Sequence, residues 1–554
     1  MRGDLIGSMC AVTGKTVVEG DVEVSEGIDY ARFYTTTMKK FAALHDVDIT
    51  SKGTILVISP WNFPCAIPIG GIVAGLAGGN TVILKPATVA APVAWLFAKA
   101  FWDAGVPKEA LQVIITDREA LKELTTAPAI KHIILTGGTD TAQSIARINP
   151  STPLSAETGG KNAIILTASG DRDHAIMNIV TSAFGNAGQK CSACSLLLVE
   201  RSVYEDKNFQ DKLKDAATSI KVGSVWEAGN VVGPMITNRN DKLLQALTLE
   251  PGESWLVPPK FIDEKQYILA PTVKWGVKPG SYSFRTELFG PMLSVACIDN
   301  LQQGIELVNS LDYGLTSGLQ SLDENEQKLW KDSILAGNLY INRGITGAIV
   351  NRQPFGGMKL SAFGGGVKAG GPNYCACLVK ITDKPESNTD YKQSYPHAYE
   401  EEFAHARDIN KLYGEQNAFR YLPLKNMVLR LFPGDSNEEA EMIALATKLC
   451  HTPLTISFDP NDDRTTALSS TGCTLKKETL DEFLKTMRSY ERIRTCGADI
   501  PMEMYEEAAR RNKYIATAKP VKNGRVELIH YIKEQSISFE FHRYGSILDV
   551  PPVE

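Results

Sequence analysis

One cysteine, Cys191, lies among small and polar residues in the segment GNAGQKCSA, residues 185–193. The small neighbours leave its sulfur approachable, and the adjacent Lys190 would favour the thiolate. Two upstream residues supply what a thiol nucleophile needs: the Asn62 amide can donate to an oxyanion, and the Glu157 carboxylate can activate a water. Together these residue types predict covalent catalysis on an aldehyde, in which Cys191 attacks the carbonyl carbon.

Each of these residues also has a more ordinary interpretation. A cysteine is more often a small buried hydrophobe than a nucleophile, an asparagine before Pro64 is commonly a turn residue, and Glu157 can simply cap or pair. The combination of thiol, amide and carboxylate favours the catalytic interpretation over three separate ordinary ones. Cys194 precedes the apolar run 196–199, and we expect it to be structural.

Three further residues are candidates for holding a nucleotide cofactor. Lys85, in LKPA, can donate to ribose hydroxyls, and Gly138, in GGTD, precedes a helix whose N-terminus suits a phosphate. Glu287, in TELFGP, can accept a hydrogen bond from a second ribose. The alternatives are a solvated lysine, a plain helix cap and a surface acid. The sequence has no GxGxxG fingerprint, so it predicts a nucleotide site only through its fold.

Short apolar runs alternate with helical periods between residues 53 and 168. The alternation indicates βαβ units and a doubly wound parallel sheet, which binds ligands at the carboxyl ends of its strands. Asn62, Lys85 and Gly138 all follow such ends. We expect strands at 53–59, 81–84, 112–116, 132–135 and 163–166, and helices at 66–78, 90–104, 118–126 and 139–148.

A second α/β region extends to about residue 345. The helical repeat at 171–184 would deliver Cys191 on a tight loop before a strand at 195–199. Residues 382–400 are polar, contain proline and indicate a linker. The remainder predicts a further α/β module without a chemical constellation or an internal repeat. Its expected strands are 454–458 and 536–541, and its expected helices are 437–449 and 502–511.

Composition excludes several classes of function. The net charge of -6 is dispersed, and no basic block tracks a phosphate backbone, so nucleic acid is not expected. Ten cysteines among 554 residues show no zinc-ligand spacing and indicate a thiol-reduced, cytoplasmic protein without a metal. No signal peptide or membrane span is expected. We expect a small-molecule substrate, and a homo-oligomer stays open.

The motifs resemble those of the aldehyde dehydrogenase superfamily. SPWNFP, LKPA, LTGGTDTA, ETGGKN, GQKCSA, TELFGP and QPFGG occur in that family's order and cover residues 1 to about 375. The segments RGITGAIVNRQPFGG, KAGGPNY, LEPGESWLV and HRYG are similar to the glutamate-semialdehyde dehydrogenase part of bifunctional proline utilization A proteins. This closer resemblance extends through the C-terminal module, and it implies that a proline dehydrogenase domain, in cis or in trans, stays open as a partner.

The resemblance implies roles for individual residues. The nucleophile would be Cys191, the oxyanion donor Asn62 and the water-activating base Glu157. The residues implied to hold NAD are Lys85, Gly138, Glu287 and Phe289, the last near the nicotinamide ribose. The residues implied to contact the substrate are Phe63, Lys190, Ser192, the anchor loop Thr346, Gly347 and Ala348, and Phe355. Free N–H groups on a glycine-containing loop suit a carboxylate.

The implied activity is NAD-dependent oxidation of L-glutamate γ-semialdehyde, the open form of pyrroline-5-carboxylate, to L-glutamate through a thiohemiacetal and a thioester. Alternatives are another carboxylated semialdehyde as substrate, or a catalytically silent fragment. Thr88 replaces a glutamate that binds the adenine ribose in many relatives, so NADP stays open as a cofactor. The opening helix, expected over 4–37, resembles an internal helix of relatives.

The expected fold is α/β and aldehyde-dehydrogenase-like. A doubly wound cofactor domain would be joined to an α/β catalytic domain and a C-terminal α/β module. The expected division is 1–157 as an NAD-binding domain incomplete at its N-terminus, 158–345 as the catalytic domain, 346–385 as the substrate-anchor loop and return segment, 386–400 as a linker, and 401–554 as the C-terminal module.

Overall fold

The computed structural model describes residues 1–237, 240–265, 267–497 and 499–547. Its first sheet, here the N-terminal sheet, has five parallel strands and one short antiparallel strand. From one edge to the other its strands are Leu111–Val113, Thr81–Pro86, Thr54–Ser59, Ile130–Thr136, Leu154–Glu157 and Ala362–Phe363. Its crossover helices are Ala66–Ala77, Ala91–Asp103, Arg118–Thr126 and Thr139–Ile148.

The parallel strands of this sheet lie in the order 3-2-1-4-5 along the chain, as in a doubly wound nucleotide-binding fold. The order reverses beside the first strand, Thr54–Ser59. Asn62, Lys85, Gly138 and Glu157 lie at or just beyond the carboxyl ends of their strands. The doubly wound sheet predicted from the alternating pattern is therefore confirmed.

Two details of the predicted sheet are wrong. The strand expected at 163–166, observed as Asn162–Leu166, belongs to the next sheet. The fifth parallel strand, Leu154–Glu157, was not expected, because a strand of four residues with serine and glutamate at alternate positions lacks an apolar run. This unpredicted strand is the one that carries Glu157.

The central sheet has nine strands, of which the seven inner ones are parallel and the two edge strands antiparallel. Its strands, in spatial order, are Glu415–Pro423, Ile532–Glu540, Asn338–Ile341, Thr316–Gln320, Asn162–Leu166, Cys194–Glu200, Met292–Ile298, Thr272–Trp275 and Ser254–Val257. Its helices are Arg172–Phe184, Arg201–Tyr204, Lys207–Ser219, Asp241–Ala246, Tyr282–Arg285, Leu301–Asn309 and Glu324–Ser333.

Two strands of the central sheet come from beyond residue 400. The part of the chain expected to form a separate module therefore completes the sheet that positions Cys191. The linker expected at 386–400 is also wrong in part, because Tyr391–Ala398 form a helix whose Tyr391 and Tyr395 are buried. The tyrosines supply an apolar face that the polar composition of the segment conceals.

The C-terminal sheet has five parallel strands. In spatial order they are Thr474–Lys477, Leu454–Phe458, Met427–Arg430, Arg492–Arg494 and Tyr514–Ala516. Its helices are Asn437–Leu449, Thr465–Leu468, Leu480–Thr486, Met502–Arg510 and Gly524–Glu527. Its strand order, 3-2-1-4-5, repeats that of the N-terminal sheet. The two sheets thus share a topology, although the sequence shows no internal repeat.

The chain opens with two helices, Arg2–Thr13 and Val17–Ala42, where one helix over 4–37 was expected. Gly14, with a φ of 69°, ends the first helix, and Thr16 caps the second by accepting from the Glu19 N–H. No helix among the described residues is long and apolar enough to cross a membrane. Short paired strands complete the fold: Val47–Ser51 with Val379–Asp383, Phe261–Asp263 with Ile268–Leu269, Tyr313–Gly314 with Met358–Lys359, and His542–Arg543 with Ser546–Ile547.

Candidate active site

A cavity of about 310 Å³ lies between the N-terminal and central sheets. Cys191 and Glu157 line it, as does the 346–348 loop. The long helix Val17–Ala42 forms another wall. Its volume is at the lower end of the range for small-molecule sites. The sequence-predicted nucleophile, base and substrate loop therefore share one enclosed space.

Cys191 follows a tight turn after the helix Arg172–Phe184. Asn186 and Ala187 both have a φ of 53°, a left-handed conformation that reverses the chain. The Asn162 Nδ2 then donates to the Cys191 carbonyl oxygen at 2.6 Å and to that of Ala193 at 3.1 Å. These bonds attach the nucleophile loop to the central sheet, since Asn162 begins one of its strands.

Burial, together with the smaller effects of the nearby Glu287 and Glu157 carboxyls, raises the pKa of the Cys191 thiol to about 12. The expectation that Lys190 favours the thiolate is wrong. The Lys190 ammonium instead forms an ion pair with Glu19, with 3.1 Å between Nζ and Oε1. Cys191 is therefore a neutral thiol in the free protein near pH 7.

Glu157 ends its strand, and its Oε2 accepts from the Gly357 N–H at 3.1 Å. Burial raises the pKa of Glu157 to about 8, against the opposing effects of the Lys368 charge and this N–H. A carboxyl group that titrates near pH 8 matches a proton acceptor working close to neutrality. This environment suits the predicted role of Glu157 as a general base.

Asn62 is buried, and its Nδ2 donates to the Gln189 carbonyl oxygen at 3.2 Å. Gln189 lies two residues before Cys191, so the Asn62 amide reaches the nucleophile loop. The neighbouring Trp61 contacts Phe289 edge to face, with 5.8 Å between ring centroids. The oxyanion role of Asn62 remains a prediction that this position suits.

Two of the predicted cofactor residues, Lys85 and Gly138, lie at the carboxyl ends of strands in the N-terminal sheet. Gly138 is the N-cap of the helix Thr139–Ile148 and has no side chain to satisfy the first N–H groups, which leaves them for a phosphate. The side-chain ammonium of Lys85 has no hydrogen-bond or ion-pair partner among the described residues, and burial lowers its pKa. These free donors fit a dinucleotide phosphate and ribose.

Glu287 contributes in a way not expected from the sequence. Its Oε1 accepts from the Gly160 N–H at 2.8 Å, and burial raises its pKa. An added Cβ on Gly159 would lie 2.2 Å from the Glu287 Oε2, so a larger residue there would displace the Glu287 carboxylate. Glu287 therefore braces the loop after Glu157, and it has one carboxylate oxygen left for the predicted ribose contact.

The predicted substrate loop 346–348 lines the cavity. The adjacent Ile345 N–H donates to the Ser182 Oγ at 3.0 Å, which ties the loop to the central domain. Gly347 has a φ of 118°, a conformation that disfavours other residues, and an added Cβ there would meet no atom within 4 Å. Phe63 and Phe355 line the same cavity, as do Lys190 and Ser192.

Three glutamates on the helix Val17–Ala42 were missed by the sequence analysis. Glu19, Glu23 and Glu26 all line the cavity. Their spacing of four and three residues places them on one helix face, a signal that could have identified them. Glu19 pairs with Lys190, and Glu23 pairs with Lys15 at 2.9 Å. Glu26 has no hydrogen-bond or ion-pair partner among the described residues.

Cys194 has the environment of a structural cysteine. It is buried at the start of a central strand, and its Sγ donates to the Leu196 carbonyl oxygen at 3.4 Å. All ten cysteines are free thiols.

Comparison with known proteins identifies the class that this fold and site define. A model of the aldehyde dehydrogenase family matches residues 1–382, and the chain belongs to that family. The 1-pyrroline-5-carboxylate dehydrogenase of Geobacillus sp. strain WCH70 is 34% identical over 389 residues, which cover 66% of this chain and 74% of the relative.

Two solved structures extend the comparison. Proline utilization A (PutA) from Corynebacterium freiburgense has a TM-score of 0.87 and 38% identity; the match covers 99% of this chain but 56% of that one. A 1-pyrroline-5-carboxylate dehydrogenase from Thermus with bound NAD has a TM-score of 0.64 and 32% identity, covering 68% of this chain and 77% of that one. The C-terminal module therefore has a structural counterpart in the Corynebacterium protein.

Proposed function

We propose that the chain oxidises L-glutamate γ-semialdehyde, the open form of pyrroline-5-carboxylate, to L-glutamate with NAD. One observation carries the proposal: Cys191, Glu157 and the 346–348 loop line the same cavity. The names of the Geobacillus and Thermus relatives support the substrate, and the NAD bound to the Thermus protein supports the cofactor.

In the proposed reaction the Cys191 thiol adds across the aldehyde C=O, so that sulfur bonds to carbon and the proton goes to oxygen. The Asn62 amide donates to that oxygen as charge develops on it. Lys85 and Gly138 would hold NAD, which would supply an acceptor for the hydride that leaves the thiohemiacetal carbon, while the hydroxyl proton leaves to water and the C=O of the thioester forms. Glu157 then removes a proton from the water that hydrolyses the thioester and frees the thiol.

The walls of the cavity suit an amino-acid aldehyde. Backbone N–H groups around Gly347 can bind the α-carboxylate, because the glycine leaves its surroundings open. The unpartnered Glu26 carboxyl offers an acceptor for the α-ammonium. This acidic wall favours glutamate semialdehyde over succinate semialdehyde, which has no ammonium group.

Steady-state kinetics on the chain will test the proposal. NADH formation should be much more efficient with glutamate semialdehyde than with succinate semialdehyde or propanal, and repeating the assay with NADP measures the cofactor preference. Turnover of all three aldehydes with similar kcat/KM would mean that the cavity does not recognise the amino-acid end. An absence of NADH with every aldehyde, together with no NAD binding, would favour a silent fragment.

The chain spans 56% of the Corynebacterium PutA chain. Whether a proline dehydrogenase domain accompanies it, in cis or in trans, remains a prediction. Adding a separately purified proline dehydrogenase and measuring NADH formation from proline would test the trans arrangement.

A further inference from the structure

Lys368 is a buried lysine close to the proposed base. Its side chain is 1% exposed, and its Nζ donates to the Asn338 Oδ1 at 2.7 Å and to the Gly356 carbonyl oxygen. Burial lowers the pKa of Lys368 to about 7, while the Glu157 and Glu534 carboxylates act to raise it. A buried ammonium requires acceptors of this kind, because desolvation otherwise removes its proton.

The peptide bond between Gly356 and Gly357 connects Lys368 to Glu157. Its carbonyl oxygen accepts from the Lys368 ammonium, and its N–H donates to the Glu157 Oε2 at 3.1 Å. A hydrogen bond to the oxygen of an amide polarises the group and strengthens its N–H as a donor. The lysine therefore acts on the base through one intervening peptide.

Glu157 and Lys368 both lie close to the Gly356 backbone, because residue 356 has no side chain. A Cβ added to Gly356 would lie 2.9 Å from the Glu157 Oε1 and 3.2 Å from the Lys368 Cγ. The Gly356 N–H also donates to the Asn338 Oδ1, at 3.2 Å. Asn338 thus binds both the Lys368 ammonium and the Gly356 backbone. The Gly356–Gly357 peptide therefore has little freedom to rotate.

Glu534 anchors the other side of Lys368. Its Oε2 accepts from the Lys368 backbone N–H at 2.6 Å, and its Oε1 accepts from the Asn373 Nδ2 at 2.7 Å. Glu534 is buried on the strand Ile532–Glu540, which pairs directly with the strand that begins at Asn338. Both anchors of the lysine therefore come from neighbouring strands of the central sheet.

We propose that Lys368 is a positioning residue for Glu157: its ammonium fixes and polarises the Gly356–Gly357 peptide, and Glu534 fixes Lys368. The inference rests on the thioester chemistry proposed above. Its consequence is that a strand from the C-terminal part of the chain tunes the proton affinity of the base, although none of its residues lines the cavity.

The other charged and titratable groups around this chain of contacts are defined. The titratable groups that interact with Glu157 are Lys368, Cys191, Tyr30 and Tyr374, and those that interact with Glu534 are Lys368, Tyr421, Arg525 and Cys377. Lys368 is the cation that acts directly on Glu157. Removing its charge should therefore raise the pH at which Glu157 becomes a carboxylate.

The experiment uses p-nitrophenyl acetate, an ester that acylates a reactive thiol without NAD. The burst of p-nitrophenolate reports acylation of Cys191, and the later steady rate reports hydrolysis of the acyl-enzyme. Lys368→Met should keep the burst amplitude and slow the steady rate about 10-fold at pH 7, because losing a nearby opposite charge shifts a carboxyl pKa by about one unit or more. When the steady rate is plotted against pH, its rise on the acid side should move to higher pH. This rise is called the acid limb below.

Glu534→Gln is the second variant. It preserves the shape of the side chain but removes a negative charge that raises the pKa of Lys368, so a smaller fraction of Lys368 carries its proton. It should move the acid limb in the same direction by a smaller amount. Lys161→Met is the matched control: Lys161 is also buried and donates to the Ser195 carbonyl oxygen at 3.3 Å, but it has no link to Gly356. Its acid limb should stay at the wild-type position.

Each outcome is decisive. Acid limbs that stay in place in Lys368→Met and Glu534→Gln, or a burst that falls in parallel with the steady rate, would assign Lys368 a structural role only. Normal ester hydrolysis without oxidation of glutamate semialdehyde would overturn the proposed substrate and leave the lysine proposal standing. A wild-type chain that neither releases p-nitrophenolate nor forms an acyl adduct on Cys191 would overturn both.

Discussion

Glu19 and Lys190 form an ion pair of 3.1 Å that joins the helix Val17–Ala42 to the residue before Cys191. Both side chains line the cavity and are largely buried. The Lys190 ammonium is thus engaged by a carboxylate, while burial is the main cause of the raised pKa of the Cys191 thiol.

Cys191→Ala should abolish dehydrogenase turnover and leave the affinity for NAD near the wild-type value, since the thiol forms the covalent bond and the predicted cofactor residues lie elsewhere. Cys194→Ala is the matched control and should retain most activity. NADH formation and NAD titration check both variants. An essential Cys194 with a dispensable Cys191 would contradict the assignment.

Glu157→Gln keeps the shape of the side chain and removes the base. Hydride transfer should persist, whereas thioester hydrolysis should slow by about 10²–10⁴-fold. A stopped-flow burst of NADH followed by a slow steady state is expected, with an acyl adduct detectable by mass spectrometry. A variant without burst or adduct would place Glu157 in an earlier step.

Gly347→Val should raise the KM for glutamate semialdehyde much more than that for propanal. The structure attributes this effect to backbone strain at a φ of 118°, because an added Cβ itself meets no atom within 4 Å. Loss of one charge-assisted hydrogen bond would cost about 1.5–3 kcal/mol, or roughly 10- to 150-fold. Equal losses with both aldehydes would mean that the loop supports the fold alone.

Lys15→Met should destabilise the chain strongly. Lys15 and Glu23 form an ion pair in which both side chains are 1% exposed, and the Glu23 Oε1 also accepts from the Cys65 and Ala66 N–H groups. Removing one partner of a buried pair costs about 3–5 kcal/mol. Thermal unfolding checks this, and Lys15→Met combined with Glu23→Gln should recover part of the loss. A double variant less stable than the single one would contradict the explanation.

Glu26 should make the binding of L-glutamate depend on pH. Burial and the nearby Glu23 raise the pKa of Glu26 to about 8, so its carboxylate forms as pH rises through that value. A carboxylate attracts the ammonium of glutamate, so the Kd measured by calorimetry should fall between about pH 7 and 9. Glu26→Gln should flatten the profile. An unchanged profile in that variant would mean that Glu26 does not bind the ammonium.

Much of the N-terminal sheet could be predicted because its strands and helices carry strong patterns. The strand Thr54–Ser59 is buried on both faces, and its sequence is a nearly continuous apolar run. The helix Arg118–Thr126 was predicted with the bounds that are observed. Leu154–Glu157 was missed because its four residues alternate without a long apolar run. The prediction therefore failed at the strand that carries the base.

The position of Lys190 and the origin of the central sheet could not be predicted. A sequence shows that Lys190 adjoins Cys191 but not that Glu19 neutralises it from a distant helix. Likewise, Ile532–Glu540 has a recognisable strand pattern, yet nothing local indicates that its partner is Asn338–Ile341. Long-range pairing depends on the assembled shape, and short-range patterns do not contain it.

The pairing of Asn338–Ile341 with Ile532–Glu540 has a consequence for biosynthesis. As the chain leaves the ribosome, the catalytic strands emerge long before the strand that covers their edge. That edge stays exposed until about residue 540 has been made, during which time it can pair with other chains. The growing polypeptide thus passes through a stage in which its nucleophile is present while its sheet is still open to aggregation.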